Sequence, residues 1–206
     1  MLFSDFYRYE GRCTWFYVVR QVMLDRCPGQ SISWHLRSCA YLKDKCLLRP
    51  LYYLARYLLR RCMFKYGIEV WPECRIGPGL YIGHFGGIHI SYLATIGSNC
   101  NISHDVTIGR SNRGERAGIP VLGDNVFVGP GAKLFGNIRV GNNAAIGVNC
   151  VVMADVPDNA VIVGIPGRVI SYKGSKGYIN KTDWDLPRVS KDTRRTQDAI
   201  GSSLCE

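Results

Sequence analysis

The sequence predicts a mainly β fold, a parallel β-helix preceded by an α-helical region, and three observations carry that prediction. Aliphatic residues recur every six positions over some 80 residues beyond position 70. Glycine often follows the aliphatic residue, where a turn is needed. Before position 67 the apolar spacing is instead three and four, the repeat of one helical face.

The front region, residues 1–66, holds 12 Lys and Arg against 4 Asp and Glu, most of the chain's net charge of +10. Trp15, Val18, Val19, Val22 and Met23 suggest a first helix, and Leu47, Leu51, Leu54, Leu58 and Cys62 a second. Pro28-Gly29 is expected to break the chain between them, with Ser31 or Ser33 capping the segment after the break. The leucine stripe is expected to pack on the rest of the protein. The alternative for a basic helix of this kind is peripheral contact with an anionic membrane.

Residues 67–170 carry the repeat: Val70, Ile76, Ile82 and Ile88, then Ile96, Ile102 and Ile108, then Leu122, Val128, Leu134, Val140, Ile146 and Val152. Four positions further on stands a second apolar or small residue, as at Leu80, Val106, Val126, Ala132 and Ala144. Neither a helix nor a simple alternating strand has this period; a stack of short strands and turns does. Two residues are inserted between Ile88 and Ile96 on this count, and eight between Ile108 and Leu122, where Arg110–Arg116 form a polar, basic loop. A loop projecting from a rigid stack is a natural ligand contact.

Residues 171–206 show no repeat and read as a tail whose first half Tyr178 and Trp184 pin, with a mobile end. The nine cysteines include no Cys-x-x-Cys pair, which argues against a disulfide framework and a structural metal site. Cys74, Cys100 and Cys150 fall where a small inward side chain is required. No run is long enough to span a membrane and the start lacks a signal peptide's basic flank, so the chain is read as cytoplasmic. No nucleic-acid-binding motif accompanies the basic charge.

The hexads, the stretch Gly67-Ile68-Glu69-Val70-Trp71-Pro72, the segment around His84 and the closing Gly164-Ile165-Pro166-Gly167-Arg168 resemble the serine O-acetyltransferases. These belong to the left-handed β-helix, or hexapeptide-repeat, acyltransferases. The resemblance covers about residues 60–170 and implies left-handed winding, a homotrimer, and transfer of an acetyl group from acetyl-CoA to a hydroxyl. Such transfer needs a base for the hydroxyl proton and donors for the developing oxyanion.

The resemblance implies His84 as that base, with Glu69, fifteen residues earlier, standing where the family usually has Asp. A carboxylate on the second ring nitrogen fixes the tautomer and steadies the imidazolium. His104 occupies the same place one hexad-coil later and is expected on the same face. His35 and His89 read as packing or surface residues. Family analogy places acetyl-CoA along Arg110, Ser111, Pro130, Lys133, Ala145, Val148 and Arg168, with Lys133 and Arg168 facing phosphates.

One departure shifts the expected acceptor. Serine acetyltransferases carry an Arg-His pair in the inserted loop that grips the serine carboxylate; the matching positions here are Gly118 and Ile119. The front region is also shorter than the family's helical domain. Both features look like the subgroup that acetylates sugars of capsular or exopolysaccharides, so a sugar hydroxyl is the expected acceptor, with Phe85, Tyr92 and Asn112 as contacts and serine as the alternative. Rival classes are a γ-type carbonic anhydrase and a noncatalytic trimeric scaffold. His84 and His89 have the spacing of two zinc ligands, but the third would fall near Leu48.

Overall fold

All thirteen aliphatic positions of the repeat are buried in the computed structural model, which describes residues 1–184. Each coil lays one short strand on each of three faces, so every strand pairs with its equivalent in the next coil, in parallel. The first face holds strands beginning at Ile68, Ile88, Thr107, Lys133 and Val151, the second those at Arg75, Thr95, Val121 and Arg139. The third holds those at Tyr81, Asn101, Phe127, Ala145 and Val161. The stack is a left-handed parallel β-helix, closed by Arg168–Ser171, which pairs antiparallel to Val161–Val163. Cys100 and Cys150 are buried in it and Cys74 packs against it, as a packing role requires; burial pushes the Cys100 thiol up to about 12, so it stays protonated.

The register moves one of the insertions. Ile108 stacks on Ile90, not on Ile88, while Ile102 stacks on Ile82. The two extra residues therefore lie between Ile82 and Ile90, in the turn that carries His84, and not after Ile88. Ile88 and Ile90 are both buried, so either satisfies a count made on apolar residues alone. The eight-residue insertion after Ile108 stands as expected, with Ile96 stacked on Leu122.

Gly79 turns the corner between the second and third faces in the first coil, and one residue type builds it in every coil after that. Asn99, Asn125, Asn143 and Asn159 all adopt left-handed backbone conformations there, which asparagine tolerates better than other residues with a Cβ. The amides of the last three join in a ladder, Asn125 Nδ2 donating to Asn143 Oδ1 at 3.1 Å and Asn143 Nδ2 to Asn159 Oδ1 at 3.2 Å.

Four helices precede the coils: α1 (Leu2–Glu10), α2 (Trp15–Met23), α3 (Pro28–Leu42) and α4 (Arg49–Tyr66). Pro28 opens α3 instead of breaking the chain, because the first helical position needs no N–H donor. Ser31 and Ser33 are buried inside α3 and cap nothing. The buried face of α4 is Ala55, Leu59, Met63 and Tyr66; the leucine stripe expected to pack inward faces solvent.

Polar anchors bind helices to coils. Asp5 is fully buried; its carboxylate accepts from Arg37 Nε at 2.8 Å and from the N–H groups of Gly79 and Leu80 at 2.9 and 3.0 Å. Arg37 in turn donates to the carbonyls of Ile76 and Gly77 at 2.7 and 2.6 Å. Burial pushes the Asp5 carboxyl up, against the opposing pull of Arg37. Buried Arg8 donates to Gly79 O, Asn101 Oδ1 and Asn180 O, so α1 also fastens the segment after the coils. Tyr178 stacks on Phe127 with ring centroids 4.5 Å apart, and Trp184 Nε1 donates to Asn99 Oδ1 at 2.9 Å, which pins the tail's first half as its aromatics suggested. The expectation of a mobile end falls outside the described residues.

Asp25, in the turn between α2 and α3, accepts hydrogen bonds from Lys65 of α4 and from Ser31. Burial pushes its carboxyl up, but these bonds outweigh that and hold it at about 2. A carboxyl lowered by folding stabilises the fold above its unfolded pKa and loses that contribution as pH falls through the folded value. Tm is therefore expected to drop between about pH 4 and pH 2, less steeply in Asp25→Asn than in the unmodified protein. Melting curves followed by circular dichroism across that window check it; identical slopes would remove Asp25 from the explanation.

Candidate active site

The turn Gly83–Gly87 is the one connection between the third and first faces that exceeds the six-residue spacing, and three helices hold it. The Tyr9 hydroxyl of α1 donates to Ile82 O at 2.9 Å and accepts from Ile82 N–H at 3.2 Å. Burial pushes the Tyr9 phenol well up, so it keeps the proton it donates. Gly29 of α3 abuts the same strand so closely that a Cβ would overlap Ile82 O and the Tyr9 hydroxyl. Tyr66 of α4 packs beside Phe85, ring centroids 6.4 Å apart. Gly86 and Gly87 take φ values of 99° and 67°, which let the lengthened turn double back.

His84 is exposed on this turn. It stands two residues after Ile82, as His104 stands two after Ile102, and these isoleucines are register partners. The two imidazoles consequently lie edge to face, centroids 5.9 Å apart. Pro130 and Val148 occupy the equivalent places in the next two coils, because Val128 and Ile146 continue the same stack. One corner of the prism thus carries His84, His104, Pro130 and Val148 in a column.

Glu69 braces a different histidine from the one expected. Its Oε2 lies 2.8 Å from His89 Nδ1, and its Oε1 accepts from Trp71 Nε1 at 3.0 Å. Both carboxylate oxygens are thereby engaged away from His84. The reason is register: Glu69 and His89 are paired positions on adjacent strands of the first face, where side chains directly opposite each other are closest. The Trp71 hydrogen bond, followed by His89, holds the Glu69 carboxyl below the usual carboxylate range, so it is ionised at neutral pH. This braced imidazole was missed by counting along the chain; the twenty-residue offset between paired strands was the available signal.

Beside this pair is a cavity of about 510 Å³ between α4 and the first coil, lined by Arg60, Met63, Phe64, Glu69, Trp71 and His89 among others. Arg60 lies over the Phe64 ring, 5.6 Å from its centroid, and has no carboxylate partner among the described residues. The cavity therefore offers an unpaired cation, an ionised carboxylate and aromatic walls, a set suited to a small zwitterion. Nothing in the helical spacing of α4 marked Arg60 for this place.

The remaining expected contacts are spread over the prism. Lys133 is on the first face in line with Glu69 and His89, its ammonium 2.9 Å from Asp105 Oδ1. Arg110 and Ser111 start the inserted loop at the far end of the same face, and Ser111 pairs with Gly118. Ala145 is buried in the third face, leaving only backbone to offer; Arg168 is exposed on the closing strand. At Gly118 a Cβ would lie 2.7 Å from the Asn137 Cβ, and Ile119 packs on the core, so this part of the loop presents no side chain to a ligand. Tyr92 is exposed, as is Asn112 in the loop. Among the described residues, no three His, Cys, Asp or Glu side chains converge as metal ligands.

No family model matches the chain. The serine acetyltransferase of Bacillus pumilus (strain SAFR-032) is 37% identical over 144 residues, 70% of this chain and 66% of that protein. That of Synechococcus elongatus is 44% identical over 108 residues, 52% of this chain and 44% of that protein. The chain thus spans less than two thirds of the curated relatives' length. Among solved structures, Neisseria gonorrhoeae serine acetyltransferase in complex with serine aligns with a TM-score of 0.64 at 30% identity, covering 82% of this chain and 67% of that one. A serine acetyltransferase in complex with CoA aligns with a TM-score of 0.62 at 27% identity, covering 82% and 68%.

These relatives overturn the expected sugar acceptor and the polysaccharide role with it. The expectation rested on the missing cation at positions 118 and 119, but a carboxylate handle need not come from that loop, and Arg60 supplies a cation elsewhere. By sequence identity and by fold alike, the chain belongs to the serine acetyltransferase family.

Proposed function

We propose that the chain transfers the acetyl group of acetyl-CoA to the hydroxyl of serine, with His84 as general base. The observation that carries this reading is the setting of His84: an exposed imidazole on the lengthened turn, held from behind by α1, α3 and α4, with His104 stacked beneath it. Membership in the family, and the serine and CoA held by solved relatives, support the two substrates.

His84 takes the hydroxyl proton as the serine oxygen bonds to the thioester carbon. It returns that proton to sulfur as the carbon–sulfur bond breaks, so the imidazole ends as it began. His104, one coil away, orients the His84 ring. Glu69 is an ionised carboxylate within the cavity and accepts from the serine ammonium, while His89 and Trp71 fix its side chain. Pro130 and Val148 continue the His84 column as the path for the CoA arm, and Arg110 and Arg168 are the cations available to its phosphates, Lys133 being paired with Asp105.

Arg60 holds the serine carboxylate in this reading. A charge-assisted hydrogen bond contributes about 1.5–3 kcal/mol, so Arg60→Gln is expected to raise the KM for serine by roughly 10- to 100-fold with kcat little changed. The preference for serine over ethanolamine, which lacks the carboxylate, should shrink by the same factor, while the KM for acetyl-CoA stays put. Steady-state kinetics with both acceptors, following release of free thiol, test this. Wild-type turnover of serine with an unaltered KM in Arg60→Gln would discard the role of Arg60 alone; no acetylation of serine by the unmodified protein would discard the acceptor.

A further inference from the structure

Helix α4 shows solvent an apolar surface that the coils do not cover. Leu47, just before it, is 97% exposed; Leu51, Leu54 and Leu58 are exposed above it, and Phe64 is 77% exposed on the adjoining side. The same eighteen residues hold Arg49, Arg56, Arg60, Arg61 and Lys65 and no Asp or Glu. Glu73 pairs with Arg56 and Asp25 with Lys65, whereas Arg49, Arg60 and Arg61 have no carboxylate partner among the described residues. Helix α2 also exposes apolar side chains, Phe16 at 78% and Met23 at 79%, and carries one cation, Arg20, and no acid.

We propose that this face of α4 is a docking surface for an anionic lipid membrane. An apolar stripe bordered by cations is the composition of a helix lying in the plane of the headgroups. Leu47, Leu51, Leu54 and Leu58 enter the acyl boundary, and Arg61, three residues on from Leu58, meets a lipid phosphate, each cation near such a surface contributing about 1 kcal/mol. At ~1.5 Å per residue the helix extends about 27 Å along the surface. It lies on the bilayer without crossing, since no helix among the described residues is long and apolar enough to span it. A second copy of the chain suits the face less well. A two-fold contact through α4 would set its cations against the same cations, with no carboxylate on the helix to neutralise them.

Vesicle flotation of the full chain tests the proposal, comparing phosphatidylcholine alone with the same lipid containing about one third phosphatidylglycerol. Binding to the anionic vesicles is expected, at least tenfold weaker on neutral ones and weakened by salt. The pair Leu54→Glu and Leu58→Glu should reduce it a further tenfold or more, with the melting curve and serine acetylation in solution unchanged; Arg61→Gln should weaken it mainly at low salt. Absence of binding to either vesicle, or equal binding to both, would overturn the proposal. So would sedimentation showing that the leucine substitutions split an assembly of the unmodified chain, for then α4 is covered by a second copy.

Discussion

Replacing His84 with alanine is expected to lower kcat by about 10²–10⁴, the usual contribution of a positioned general base, and to leave the coils folded. The side chain is exposed on a turn and, among the described residues, its ring contact is with His104, so its loss opens no cavity. His89→Ala is the discriminating companion, because in this structure His89 is the imidazole that Glu69 braces. With His84 as base, His89→Ala frees one oxygen of Glu69 and alters acceptor affinity more than kcat. A collapse of kcat in His89→Ala with near-normal turnover in His84→Ala would transfer the base to the Glu69–His89 pair. Single-turnover measurements at saturating acetyl-CoA separate these outcomes, since they isolate the chemical step from binding.

Asp5→Ala is expected to be the most destabilising single substitution among the polar contacts, at about 3–5 kcal/mol. It strands the Arg37 guanidinium with the Ile76 and Gly77 carbonyls but no carboxylate, and it leaves the Leu80 N–H without its acceptor and the Gly79 N–H with Ser4 Oγ alone. For a chain of this size that corresponds to a loss in Tm on the order of 10 °C. Asp5→Asn keeps an acceptor for the two N–H groups and should lose less. The effect on activity should exceed the unfolded fraction, because α1 also carries Tyr9, which holds Ile82 just ahead of His84. Thermal melts and assays well below the transition, run in parallel, check both parts; a Tm unchanged in Asp5→Ala would show that the coils stand without this anchor.

The coils were legible because one inward aliphatic per six residues defines both strand and turn, and all thirteen are buried. Where the sequence offered two equivalent readings, counting failed. Ile88 and Ile90 flank His89 on one strand, and only pairing with Ile108 shows that Ile90 keeps the phase. On α4 the stripe of Leu51, Leu54 and Leu58 and the stripe of Ala55, Leu59 and Met63 have the same period and adjoin one another. Spacing cannot say which meets the core. The site was partly legible: the His84–His104 stacking follows from equal offsets after register partners. The Glu69–His89 pair lies across strands, and the acceptor cavity needs α4 folded against the first coil, so neither can be counted along the chain.

The asparagine corner sets a rule for where this prism accepts new material. Every connection through it, from Ile76 to Ile82, Ile96 to Ile102, Leu122 to Val128 and Val140 to Ile146, has the same length, and amide stacking ties its lower coils together. Both extra segments, at Gly83–Gly87 and Gly109–Val121, leave by the other two corners. The ladder acts as a keel, so peptide grafts meant to reshape substrate choice belong at those two edges, while a single residue added at the keel would break the amide stack.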